Sequence, residues 1–201
     1  MRIVLATGND HKVGELRAIL GPLLGRHELV GLQDAAGADY PEPVEDGATY
    51  ADNALIKARA AARATGLPAL ADDSGIEVEH LDDAPGIHSA RYAGTRVDAD
   101  NRAKLLDAMA GVAERRATFV CAAAFVDADR ETVVTESWGG TLLDRERGEG
   151  GFGYDPIFRP EGEHRSAAEL GADEKNRTSH RSRAFRALWT EIEPTLGGPA
   201  G

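Results

Sequence analysis

Short apolar runs alternate with amphipathic stretches along this chain, a pattern that predicts an α/β fold. Ile3-Val4-Leu5-Ala6 is continuously apolar, as expected of a strand buried on both faces. Val13, Leu16, Ile19 and Leu20 then recur at helical spacing, and Gly21-Pro22 ends that helix. A short strand is expected near residues 28–32. Thr49 to Thr65 reads as an alanine-rich helix, with Gly66 as its stop and Pro68 just beyond. Leu70 to Ser74 reads as a short buried strand that meets a chain reversal at Ser74-Gly75. Residues 76–81 follow with the apolar–polar alternation of a half-buried strand. Asp98 to Ala110 reads as a helix capped by Asp98 or Asp100, with Leu105, Leu106 and Met109 facing inward. Ala117 to Val126 is a buried strand, 127–130 a hairpin turn, and Glu131 to Trp138 the returning strand. Residues 87–94 show no clean period. Ser166-Ala167-Ala168-Glu169 is a capping box opening a short helix. Ser179 is placed to cap a last helix whose inward stripe is Phe185, Leu188, Trp189 and Ile192.

The 201 residues contain no internal repeat and no linker long enough to separate independent domains. One domain over 1–195 is expected, with 196–201 as a frayed tail. The net charge of −11 repels a nucleic-acid backbone but leaves room for a small anion held by local cations. Cys121, the only cysteine, sits in an apolar run and reads as a buried core thiol. There is no signal-peptide pattern and no apolar run long enough to span a bilayer, so the expected compartment is cytoplasmic, with no membrane partner.

Against this background some polar groups stand out. Asp72 and Asp73 end an apolar run, where desolvating a carboxylate costs several kcal/mol unless cations or donors meet it. An Asx-turn would account for one aspartate; a site holding a metal and activating a water would account for both. Neighbouring strand residues face opposite ways, so either the chain bends at Ser74-Gly75 or the two aspartates divide the work. Thr7, Gly8, Asn9, Asp10, His11 and Lys12 join a strand to a helix. Such a turn suits a phosphate at the helix N-terminus, or an ordinary cap by Asn9 or Asp10. Glu45 precedes the alanine-rich helix, on which Asn53 and Lys57 share a face, either as a solvated polar face or within a site. Phe152 and Tyr154 lie among glycines, available to stack on a nucleobase or to fold back onto the core. His180 and Arg181 put cationic groups at a helix N-terminus, against the dipole, which points to a ligand. His88 has no histidine or cysteine partner at metal-ligand spacing and reads as structural. Together the groups suggest a nucleoside triphosphate bound with Mg²⁺.

Five motifs in order, Thr7-Gly8-Asn9-x-x-Lys12, Ala71-Asp72-Asp73-Ser74-Gly75, Pro85-Gly86-x-x-Ser89-Ala90-Arg91-Tyr92, Gly150 to Pro156, and Ser179-His180-Arg181, resemble the Ham1/inosine triphosphate pyrophosphatase family. The resemblance runs from Met1 to about Ile192. It implies a Maf/Ham1-like α/β fold, a long mixed sheet flanked by helices in two lobes with a central cleft. It also implies Mg²⁺-dependent hydrolysis of ITP, dITP and XTP to the monophosphate and pyrophosphate, by a homodimer. On the matching positions, Asp73 is the general base, and Glu45 and Asp73 hold the metal. Thr7 to Lys12 take the triphosphate, assisted by Lys175. Ser74, Phe152, Gly153, Tyr154 and Asp155 bind the nucleotide, and His180 and Arg181 contact the base. Asp72 is left a supporting role. The competing readings are a pyrophosphatase for modified pyrimidine nucleotides and a non-catalytic nucleotide sensor; the paired carboxylates argue against the sensor.

Overall fold

A computed structural model describes residues 1–37 and 40–196. Six strands, β1 (Arg2–Leu5), β2 (Glu28–Gly31), β3 (Ala69–Val78), β4 (Arg116–Val126), β5 (Glu131–Leu142) and β6 (Phe158–Pro160), form one sheet in the order β2-β1-β3-β4-β5-β6. The sheet is mixed: β1 runs parallel to β2 and β3, whereas β5 and β6 are antiparallel. The helices are α1 (Asp10–Leu20), α2 (Leu32–Ala36), α3 (Tyr50–Thr65), α4 (Asp98–Ala108), α5 (Ala172–Thr178) and α6 (His180–Ile192). The chain divides into two compact units, 1–73 with 121–136 and 181–201, and 74–120 with 137–180. β3, β4 and β5 each run from one unit into the other.

Local chemistry explains most boundaries. Asn9 caps α1 by accepting from the Lys12 N–H, so the ordinary cap is realised there. Thr49 and Asp52 form a reciprocal capping box at α3, and Gly66 closes that helix in the left-handed conformation. Three expectations differ. β3 does not reverse at Ser74-Gly75 but continues to Val78, because Gly75 and Ile76 are buried and the strand keeps its apolar footing beyond the aspartates. Neither Asp98 nor Asp100 caps α4: Val97 holds that position, Asp98 accepts from the Gly153 N–H and Asp100 from the Thr95 hydroxyl. The strand expected over 76–81 ends at Val78, and Glu79–Leu81 turns as a 3-10 helix, while residues 32–36 and 172–178 form the short helices α2 and α5.

The first unit's core gathers Ile3, Leu5, Leu16, Leu20, Leu70, Phe125, Phe185, Leu188 and Trp189. Leu196 belongs to it, so the expected tail is anchored at its first residue; 197–201 lie outside the described residues. The second unit's core gathers Ile76, Val78, Leu105, Met109, Phe119, Trp138, Leu142, Ile157 and Phe158. Phe185→Ala removes a fully buried ring from the first core. It is expected to cost about 3–5 kcal/mol, read as a melting temperature lower by about 2–4 °C per kcal/mol.

Candidate active site

In the first unit, β3 presents its two aspartates to different partners. Asp72 is 2% exposed, and its Oδ2 accepts from Lys12 Nζ at 2.9 Å and from Arg181 Nε at 3.3 Å. Cys121 Sγ lies 4.0 Å from the same oxygen, a buried thiol as expected. Arg181 is itself buried and also donates through Nη1 to Glu15. Burial works against this guanidinium, yet Asp72 and Glu15 raise its pKa above the ordinary arginine value. Two carboxylates thus account for a cation at the N-terminus of α6, where the dipole alone disfavours it.

Asp73 faces α3. Its Oδ2 accepts from Asn53 Nδ2 at 3.1 Å, and its Oδ1 lies 3.3 Å from Lys57 Nζ. Asn53 and Lys57 are one helical turn apart, so both oxygens are held from a single helix face. The same ammonium lies 3.3 Å from Glu45 Oε2. Burial pushes the Asp73 carboxyl up, while Lys57, Lys12 and the Asn53 donor pull it some of the way back. Burial also opposes the Lys57 charge, but Asp73, Asp72 and Glu45 hold its pKa above the usual lysine value. Glu45 and Asp73 therefore converge on one cation. Oxygen donors in that arrangement fit Mg²⁺, which takes one or two carboxylates and completes its shell with waters and phosphate oxygens. Among the described residues no cluster of three or more His, Cys, Asp or Glu could hold a metal. Thr7 is half-buried, and Gly8, Asn9, Asp10 and His11 are exposed along the turn into α1.

In the second unit, the glycine-rich loop is held by Asp155 within it and by residues of α4 and α5. Asp155 Oδ2 accepts from the Phe152 N–H at 2.9 Å and from Lys175 Nζ at 2.6 Å. That ammonium sits 5.0 Å from the centre of the Phe152 ring. From α4, Asp98 accepts from the Gly153 N–H and Arg102 Nη1 donates to the Gly153 carbonyl. Of the two options the sequence left for Tyr154, stacking on a base or folding back onto the core, the structure takes the second. Tyr154 is 5% exposed, lies in the core and donates its hydroxyl to the Ser89 carbonyl, because a phenol carries enough apolar surface to fold inward once its O–H has an acceptor. The flat ring of the loop is therefore Phe152, which is half-buried. His180 is buried and stacks on Phe119, with ring centres 4.7 Å apart and planes 5° from parallel. Ser74 is half-buried on β3.

The sequence profile of the Ham1 family matches residues 3–191. The chain belongs to the Ham1 family. It is 51% identical over 200 residues to a dITP/XTP pyrophosphatase of Streptomyces coelicolor, covering 98% of this chain and 99% of that one. It is 47% identical over 202 residues to one from Thermus thermophilus, covering 99% and 94%. Among solved structures, the HAM1 protein of Coxiella burnetii matches with a TM-score of 0.86 at 39% identity, over 97% of this chain and 100% of that one. The Staphylococcus aureus Ham1 protein matches with a TM-score of 0.85 at 35% identity, over 96% and 99%.

In this Ham1-family chain, the sequence nominated Lys12, Glu45, Asp73 and Arg181, named Asn53 and Lys57 only as sharing a helix face and Asp98 only as a helix cap, and did not single out Glu15 or Arg102. The four-residue spacings of Asn53 with Lys57 and of Asp98 with Arg102 are visible in the sequence; what each pair faces is not. Asp72→Asn removes the anion shared by Lys12 and Arg181. Breaking a buried charge network this way is expected to cost about 3 kcal/mol. A thermal melt should show a fall of roughly 6–12 °C, and a shift of about 2 °C or less would contradict the shared-anion role.

Proposed function

We propose that this chain hydrolyses the deaminated purine nucleoside triphosphates dITP, XTP and ITP to the monophosphate and pyrophosphate, clearing them from the cytoplasmic nucleotide pool. The observation that carries this reading is the buried carboxylate of Asp73, held between Asn53 and Lys57 with Glu45 on the same ammonium. The full-length similarity to dITP/XTP pyrophosphatases supports the substrate class.

The reaction asks for a water placed at the α-phosphorus, a base for its proton, and cations for the phosphate charge. Asp73 takes the proton, and its raised pKa makes it a better base than an exposed aspartate. Lys12, with the turn from Thr7, Gly8 and Asn9 through Asp10 and His11, binds the triphosphate. Glu45 and Asp73 would hold Mg²⁺, which when bound neutralises phosphate charge and lowers the pKa of its water. Lys57 balances the charge of those two carboxylates.

Other groups serve the nucleoside. Phe152 offers its ring to the base, on a loop that Asp155, Lys175 and the Gly153 contacts hold in shape. Ser74 completes that end. His180 and Arg181 are donors, and donors suit the 6-oxo group of hypoxanthine and xanthine. Adenine presents an amino donor at that position, and burying two donors together is costly. As the family resemblance implies, we further propose that the working form is a homodimer.

Incubation with Mg²⁺ and dITP, XTP, ITP or ATP is expected to release pyrophosphate from the first three and far less from ATP. Release of orthophosphate instead would refute the reaction. Asp73→Asn should lower turnover about 100-fold or more while dITP binding stays within about threefold of wild type. Phe152→Ala should weaken binding by about 1–3 kcal/mol, the stacking contribution of one base. An unchanged affinity would return that ring to a packing role.

A further inference from the structure

Asn53 is 1% exposed, and both ends of its amide are committed. Nδ2 donates to Asp73 Oδ2 at 3.1 Å, and Oδ1 accepts from the Gly47 N–H at 2.9 Å. The orientation is forced, because a flipped amide would set an N–H against the Gly47 N–H and an oxygen against a carboxylate. Gly47 follows Glu45 by two residues, so one side chain ties the proposed base to the loop that carries the proposed metal ligand. The contact leaves no space at Gly47. A Cβ there would come within 2.7 Å of Asn53 Oδ1 and within 2.5 Å of Asp52 Cβ. The loop's main chain rests directly on the first turns of α3, and only glycine permits that approach.

We infer that Asn53 is a positioning residue: it fixes the Asp73 carboxylate in one rotamer and sets the Glu45 loop at a fixed place beside it. This deepens the reading of Asp73 and Glu45 above and rests on it. Lys57 also touches Asp73, but through a flexible four-carbon stem whose ammonium is shared with Glu45. The short, planar amide is the rigid member of the pair. Reacting groups must be held to fractions of an ångström, so loosening this amide should be felt in turnover more than in substrate affinity.

Two substitutions separate the two ends. Asn53→Asp keeps the acceptor for Gly47 and removes the donor to Asp73; Asn53→Leu removes both. The readouts are kcat and KM for dITP, and hydrogen exchange at the Gly47 amide in protein free of metal and nucleotide. Asn53→Asp is expected to lower kcat about 30-fold or more, with KM within about threefold of wild type. Its Gly47 amide should keep wild-type protection within about threefold, whereas Asn53→Leu should exchange there about tenfold faster or more. A kcat for Asn53→Asp within about threefold of wild type overturns the inference. So does unchanged Gly47 protection in Asn53→Leu. Should Asn53→Leu fail to fold, Gly47→Ala takes its place, since its added methyl lifts the loop and leaves Asn53 and Asp73 intact. It is expected to lower kcat about tenfold, and wild-type turnover would overturn the inference. If wild type itself does not convert dITP, the functional reading fails, while the exchange data still decide whether Asn53 holds the loop.

Discussion

An extended strand sends neighbouring side chains to opposite faces, and β3 stays extended through Asp72 and Asp73 to Val78. The two carboxylates therefore cannot share a ligand set, and each is met by a different region of the first unit. Asp72 draws Lys12 from α1 and Arg181 from α6. Asp73 draws Asn53 and Lys57 from α3. Two buried charges side by side would be ruinous if left to themselves. Here each desolvation cost is offset by a cation and a further donor, and the compensating groups are those the proposed chemistry also uses.

That division gives the site its order. Lys12 is tied to an anion, so its ammonium is held near the turn that would receive phosphate rather than left to wander in solvent. Lys57 sits between Glu45 and Asp73, so the oxygens proposed for a metal are already turned toward one another around a positive charge. Glu15 completes the partners of Arg181. Preorganisation of this kind places cost in folding rather than in the reaction step.

Much of this was legible in the sequence, for identifiable reasons. Apolar runs marked β1 and β4, and the Thr49 and Gly66 signals marked both ends of α3, because caps and buried strands are local events. The motifs around Asp73, Lys12 and Phe152 marked the residues of the proposed chemistry. Three things were not legible. Whether β3 bends at Gly75 depends on what Gly75 and Ile76 are buried against, which lies far away in the chain. Whether Tyr154 opens outward or folds inward depends on the Ser89 carbonyl, 65 residues away. Which carboxylate answers Arg181 depends on Asp72 and Glu15, 109 and 166 residues away. Residue types and spacing show what a segment can do; long-range partners decide which of those options is taken.

The role assigned to Asp73 comes down to one bond, that between a water oxygen and the α-phosphorus. Hydrolysis of dITP in heavy-oxygen water, followed by mass spectrometry of both products, reads that bond directly. The label is predicted in the monophosphate, because water that attacks the α-phosphorus stays with it while pyrophosphate leaves unlabelled. Label in the pyrophosphate would place the attack at the β-phosphorus and contradict the proposed chemistry of this site.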